Sequence, residues 1–234
     1  MSERIAWMNL HNHSSYSDGD FSPEQIAAEA ARGCLTHVAI TDHFETAKVR
    51  RCLTSEQLDN YIREIGSLND KYDGSLRVLA GVEIDTNPDR CALDELPIDQ
   101  LNRLDLVLFE FVNDEWNGGS SLEKIAPLID RIRVPCGLVH TDFATVFSEV
   151  SPQDVADQLA SHGLFAEINT ASIYKRRGIP YYEHSEKHYR AFHDKVKISV
   201  GTDSHRTLSE VSNLGKGYTF IDRLGATNDL IEIK

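Results

Sequence analysis

The chain lacks any apolar run approaching the roughly 20 residues that a membrane helix requires, so no membrane association is expected. Its start, Met1-Ser2-Glu3-Arg4, has none of the apolar core of a secretory signal, and a cytoplasmic location is expected. Cysteine is scarce. Cys34, Cys52, Cys91 and Cys136 are widely spaced and form no Cys-x-x-Cys, which excludes a zinc ribbon or a thioredoxin-like motif. Four thiols in 234 residues do not make a disulfide framework, and inert thiols are expected. Basic residues are also few, 24 Lys and Arg against 37 Asp and Glu, for a formal net charge of −13. Nucleic-acid binders draw much of their affinity from basic groups on phosphates, so the balance argues against DNA or RNA as the main partner. There is no Gly-x-Ser-x-Gly elbow and no Cys beside a His motif, hence no sign of a protein nucleophile. Repeats, low-complexity tracts and long linkers are missing too, and residues 1–234 are expected to form a single domain. No feature fixes an oligomeric state.

What is present is alternation. Short apolar or β-branched runs bounded by polar residues read as strands: Ile5–His13, His37–His43, Arg77–Asp85, Leu104–Val112, Cys136–Phe143, Phe165–Thr170 and Lys197–His205. Helical patterns lie between them. Ser22-Pro23-Glu24-Gln25 places a Ser N-cap, a Pro at N1 and a Gln at N3, and Ser151-Pro152-Gln153-Asp154 repeats the device before a helix that ends near His162-Gly163. Residues 54–72, 121–132 and 182–194 also carry helical spacing. Strands alternating with helices predict parallel βαβ units, either closed into a barrel or left as an open sheet.

The ends of the runs favour the barrel. Buried parallel strands should be apolar throughout, yet these finish in His11-Asn12-His13, Asp42-His43, Glu83, His140-Thr141-Asp142, Glu167-Ile168-Asn169 and Asp203-Ser204-His205. In a (β/α) barrel the C-terminal strand ends line the active site. Residues i and i+2 of a strand point the same way, about 7 Å apart, so His11 with His13, and Asp203 with His205, can each grip one ion. Imidazole mixed with carboxylate suits zinc, manganese or iron. His37 opens its strand and is expected at the opposite end. His162, His184, His188 and His193 lie in helical patterns and are expected to be solvated.

The motifs His11-Asn12-His13-Ser14-Ser15-Tyr16-Ser17-Asp18-Gly19, Thr41-Asp42-His43, Gly81-Val82-Glu83, His140 and Asp203-Ser204-His205, in this order, resemble the polymerase and histidinol phosphatase (PHP) superfamily. Glu167-Ile168-Asn169-Thr170, followed by Tyr174-Lys175-Arg176-Arg177 and Pro180, is similar to its histidinol-phosphatase branch. The resemblance implies an α/β fold, a distorted seven-stranded (β/α)7 barrel, TIM-barrel-like, with two or three divalent ions and phosphoesterase activity on a small-molecule phosphate ester. It implies His11, His13, Glu83 and Asp203 for one ion and Asp18, His43 and His205 for a second. Glu83 with His140 belongs to a third position, unless Glu83 is a bridge. The family's histidine at the end of the fourth strand is missing here, which leaves the ion count at two or three.

The chemistry expected is hydrolysis of a phosphate monoester by a metal-activated hydroxide. His205 or Asp142 is a candidate proton donor, and Asn169, Arg176 and Arg177 are candidates for substrate binding, with Arg50 and Arg51 behind them. Lys175, Arg176 and Arg177 follow the sixth strand closely enough to lean over the mouth. Glu110 lies on an apolar run, where an acid must be paired or metal-bound. It is expected either as a further ligand or in an ion pair with a nearby cation. The alternatives are a nuclease-like phosphodiesterase and a degenerate metal-binding module without turnover.

Overall fold

The computed structural model describes residues 6–72 and 74–233. In chain order the elements are β1 (Met8–Asn9), α1 (Pro23–Arg32), β2 (His37–His43), α2 (Ser55–Tyr72), β3 (Arg77–Asp85), α3 (Ile98–Leu101), β4 (Leu106–Glu110), α4 (Leu122–Ile129), β5 (Cys136–Leu138), α5 (Phe143–Val146), α6 (Pro152–Ser161), β6 (Leu164–Asn169), β7 (Lys175–Arg176), β8 (Ile179–Pro180), α7 (Tyr181–His184), α8 (Glu186–Phe192), β9 (Ile198–Gly201) and α9 (Gly215–Leu224). Seven parallel strands run in the order β1-β2-β3-β4-β5-β6-β9. The ends of that sheet meet: Leu10 N–H donates to Val200 O at 2.8 Å, Asp203 N–H to His11 O at 2.9 Å and His13 N–H to Ser204 O at 2.9 Å. The fold is the expected α/β, TIM-like barrel.

Local sequence explains the helices that the pattern predicts. Ser22 and Gln25 form a reciprocal capping box with Pro23 in the first turn, and α1 turns Ile26, Ala27 and Ala30 onto the sheet. Ser151 caps α6 through Asp154 N–H, and Gly163 follows with φ +62°, a left-handed conformation that favours glycine. Burying each large aliphatic side chain contributes about 1.5–3 kcal/mol, and the buried apolar residues form one connected core. Tyr61 ties α2 to the sheet, its hydroxyl donating to Ile40 O at 2.7 Å and Gly81 O at 2.9 Å, just before the polar ends of β2 and β3.

Several boundaries differ from expectation. β1 is two residues long, and Ile5 lies outside the described residues. Side-chain amides continue the seam beyond β1. Asn12 Nδ2 donates to Ala39 O at 2.9 Å, and Asn12 Oδ1 accepts from Asn9 Nδ2 at 2.8 Å and Ser204 Oγ at 3.0 Å. The fifth strand stops at Leu138 because His140 turns out of the sheet with φ +36°. The helix expected over 182–194 is broken at Ser185, whose buried hydroxyl serves Ala144 N and Asp142 rather than the helix. The β7–β8 hairpin, turning at Arg177-Gly178 with both φ positive, and α9 are additional. Among the described residues no helix is long and apolar enough to cross a membrane.

Candidate metal centre

The strand ends converge on one buried cluster. His11 Nε2 lies 3.2 Å from His13 Nε2, 3.3 Å from Glu83 Oε1 and 3.4 Å from Asp203 Oδ1. His13 Nε2 stands 3.0 Å from Asp203 Oδ1 and 3.4 Å from Glu83 Oε2. Beside this group, Asp18 Oδ1 faces His205 Nε2 at 3.2 Å and His43 Nε2 at 3.8 Å. A third grouping joins Glu83 Oε1 to His140 Nε2 at 2.9 Å, with Glu110 3.7 Å from both His140 Nε2 and His43 Nδ1. All nine expected ligands are therefore neighbours, on β2, β3, β4 and the segments that follow β1, β5 and β9.

Backbone strain accompanies this convergence. His140 and Asp203 both have positive φ, +36° and +48°, a conformation costly for non-glycine residues and concentrated at functional sites. Asp42 holds the loop that carries Asp18, its carboxylate accepting from Ser14 N and Oγ and from Ser17 N and Oγ at 2.5–3.0 Å.

The donors suit divalent ions. Asp18 Oδ1, Glu83 Oε2, Glu110 Oε1 and His43 Nδ1 are buried without a well-directed hydrogen bond: His43 Nδ1 only faces Glu83 Oε2 at 2.9 Å, and Asp18 Oδ1 only faces His205 Nε2 at 3.2 Å. Desolvated polar atoms left so are costly, and cations lying between them would satisfy them. Charge is correspondingly frustrated. Burial, with His43 and His205 alongside, lowers the His13 pKa to about 3. Burial opposes the proton on His205 as well, but the Asp18 carboxylate beside it and then Asp203 outweigh it and raise that pKa to about 9. Burial, then the nearby Glu83 carboxylate, raises the Glu110 pKa, and the Lys48 ammonium, paired with its Oε2, pulls the other way and favours the carboxylate.

Three supporting groups are not evident from the ligand pattern. Glu167 Oε1 faces His11 Nδ1 at 2.9 Å, while its Oε2 accepts from His140 N–H at 2.8 Å. Tyr174 stacks on His140, with ring centroids 4.4 Å apart, and its hydroxyl donates to Asp203. Lys48 Nζ reaches Glu110 Oε2 at 2.5 Å. The first was hinted at by a carboxylate one strand-alternation before Asn169. The other two sit on irregular segments, where spacing carries no signal.

The remaining expected residues divide. Arg176, with His140, Tyr174 and Tyr181, lines a cavity of about 80 Å³ beside the cluster, and its Nε pairs with Asp142 Oδ2 at 3.0 Å. Arg177 is exposed at the hairpin turn, and Lys175 lines a separate cavity with Lys216. Arg51 Nε is occupied by Ser17 O at 2.8 Å, and Arg50 is exposed. Asn169 donates from Nδ2 to Glu167 Oε2 at 3.0 Å and accepts at Oδ1 from Ala171 N–H at 2.9 Å, so it also supports Glu167. Asp142 does not suit a proton donor. Burial would raise its pKa, but hydrogen bonds from Thr145, His184 and Arg176 outweigh this and hold it as a carboxylate. His188, expected in solvent, is buried against Phe143 and Phe192, and His184 Nδ1 meets Asp142 Oδ1 at 2.7 Å. His162 and His193 pair with Asp130 and Asp229 at the surface, and His37 stands at the start of β2, away from the mouth.

A barrel with imidazoles and carboxylates gathered at its C-terminal mouth defines a class of metal-site proteins. A PHP domain model matches residues 9–126, half of the sequence, and the chain belongs to that family. Over 81 residues it is 41% identical to the DNA polymerase/3'-5' exonuclease PolX of Bacillus subtilis, an alignment covering 35% of this chain and 14% of that protein. The fold is similar to a histidinol phosphate phosphatase from Lactococcus lactis, crystallised with zinc, L-histidinol and phosphate, at a TM-score of 0.65 and 17% identity over 95% of each chain. A crystal structure described with YwqE of Bacillus subtilis and CpsB of Streptococcus pneumoniae, metal-dependent tyrosine phosphatases, matches at a TM-score of 0.53 and 14% identity, covering 96% of this chain and 95% of the other.

Proposed function

We propose that this chain is a metal-dependent phosphoesterase hydrolysing a small phosphate monoester, with residues 1–234 acting as one hydrolase domain. The observation that carries this reading is the set of buried ligand atoms, lacking well-directed hydrogen bonds, in adjoining imidazole–carboxylate clusters. His11, His13, Glu83 and Asp203 would hold one divalent ion, and Asp18, His43 and His205 a second, whether manganese, zinc or iron. When bound, such a pair supplies an activated water near neutral pH and neutralises phosphoryl charge. His205 fits a ligand role, because Nδ1–H donating to Asp203 O at 2.8 Å leaves Nε2, which faces Asp18, for an ion.

The chain's own groups orient the ester. Arg176 stands at the edge of the cavity beside His140, where a guanidinium can meet phosphoryl oxygens bidentately. The cavity's small size and its aromatic walls of Phe111, Tyr174 and Tyr181 suit a compact leaving group. The four free thiols suit a reducing compartment such as the cytoplasm.

A second reading, phosphodiester cleavage, draws on the 41% identity to the polymerase-exonuclease segment. A panel of phosphate mono- and diesters assayed with added Mn²⁺ or Zn²⁺ separates the two. Faster metal-stimulated turnover of monoesters is expected. A preference for diesters would put the second reading in its place, and no turnover of either would leave a binding module.

A further inference from the structure

The third position at the barrel mouth already holds a cation that the chain supplies. Glu110 closes β4 fully buried, and its Oε2 lies 2.5 Å from Lys48 Nζ. Lys48 enters from the segment between β2 and α2. Its backbone N–H donates to Thr46 Oγ1 at 3.0 Å, and Thr46 is anchored in turn to Asp85 Oδ2 at 3.4 Å. The ammonium also sits 4.9 Å from the Phe111 ring centroid, within the range of a cation–π contact. Its side chain is three-quarters buried, so this is a held position and not a passing surface contact.

A third divalent ion would need Glu83, His140 and Glu110. Glu83 is shared with His11 and His13, and Glu110 has spent one oxygen on Lys48. An ion gripped by Glu110 would stand against the ammonium in a desolvated pocket, where like charges repel strongly. A buried carboxylate needs one cation, and the fourth strand offers no imidazole to recruit a metal in its place.

We propose that Lys48 stands in for the third divalent ion. The Lys48–Glu110 pair fills that position, the centre takes two ions, and the ammonium is a fixed positive charge beside them. This rests on the reading of the mouth as a metal centre.

The test is a metal count. Chelator-stripped protein is loaded with Mn²⁺, passed through gel filtration and assayed by elemental analysis. Two ions per chain are expected in the wild type. Three are expected in Lys48→Met, where Glu110 is released to His140 and Glu83, and two again in the double variant Lys48→Met/Glu110→Gln. Lys48→Gln repeats the test should the Met variant fail to fold. Three ions in the wild type, or two or fewer in both Lys48 variants, would overturn the proposal while leaving the metal centre standing. A wild type that binds none would sink the metal-centre reading, and this proposal with it.

Discussion

Glu167 Oε1 sits 2.9 Å from His11 Nδ1, on the side of the ring opposite the ligand cluster. A carboxylate in that place fixes the tautomer, so that Nδ1–H donates to Glu167 and Nε2 is free for a cation. The contact joins the end of β6 to the segment after β1 over Gly201 of β9, the strand that lies between them.

Glu167→Gln should therefore weaken metal binding without abolishing the fold. Removing such a support typically costs about 10–100-fold in affinity. Titration of the stripped variant with Zn²⁺ or Mn²⁺ against a competing chelator measures it, and an affinity within threefold of wild type would refute the role.

Gly201 makes room for that contact. A Cβ there would lie 1.9 Å from Glu167 Oε1 and 2.7 Å from His11 Cβ. Gly201→Ala should lower stability by about 1–3 kcal/mol through overpacking and weaken metal binding as Glu167→Gln does. Thermal unfolding with and without metal reads both, and an unchanged melting temperature would contradict the crowding.

His11→Ala and Asp203→Asn each remove a ligand from the tightest group. Metal content should fall by at least one ion per chain, and on the proposed function phosphate-monoester turnover should fall by about a hundredfold or more, because that mechanism would draw its nucleophile from the metals. Retained stoichiometry in either variant would remove that residue from the ligand set.

Arg176 and Arg177 are adjacent in sequence but placed differently. Arg176→Ala should raise KM for a phosphate monoester about tenfold, the scale of one charge-assisted hydrogen bond at a partly exposed site, while Arg177→Ala should change it less than twofold. Equal effects would mean that the hairpin acts as a diffuse basic turn.

His188 should make the protein sensitive to acid without touching its metals. Burial lowers its pKa below the ordinary 6.5, with His184 adding and Asp142 opposing. The unfolded chain then binds more protons than the folded one below about pH 6.5. The contribution of neutral His188 is thus complete above that pH and is lost as pH falls towards the depressed folded value. Chemical denaturation of wild type and His188→Gln between pH 5 and 8 should show their stability difference shrinking in acid, with metal content equal in both. A pH-independent difference would show that His188 does not titrate.

Much of the centre was legible because strand geometry is simple. Residues two apart share a face, so His11 with His13 could be placed from spacing, as could the polar ends of β2 and β3. Capping chemistry likewise marked α1 and α6, whose Ser-Pro starts act within four residues. The alternation that turned Glu110 inward was readable on the same terms, but its partner was not.

What only the tertiary structure decided lies on segments without a period. Lys48, Tyr174 and the Arg176–Asp142 pair come from loops or a short hairpin whose paths are set by long-range contacts. His188 misled for a related reason. Its charged neighbours Glu186, Lys187 and Arg190 signal a solvated helix, yet the break at Ser185 turns the ring onto Phe143. The sequence by itself determined which side chains reach the rim of the barrel, because that follows from local backbone geometry. Which carboxylate supports His11 depended on closure of the sheet, which brings together residues 156 positions apart, and which cation faces Glu110 depended on the path of the segment after β2 across β3 to β4, 62 positions on.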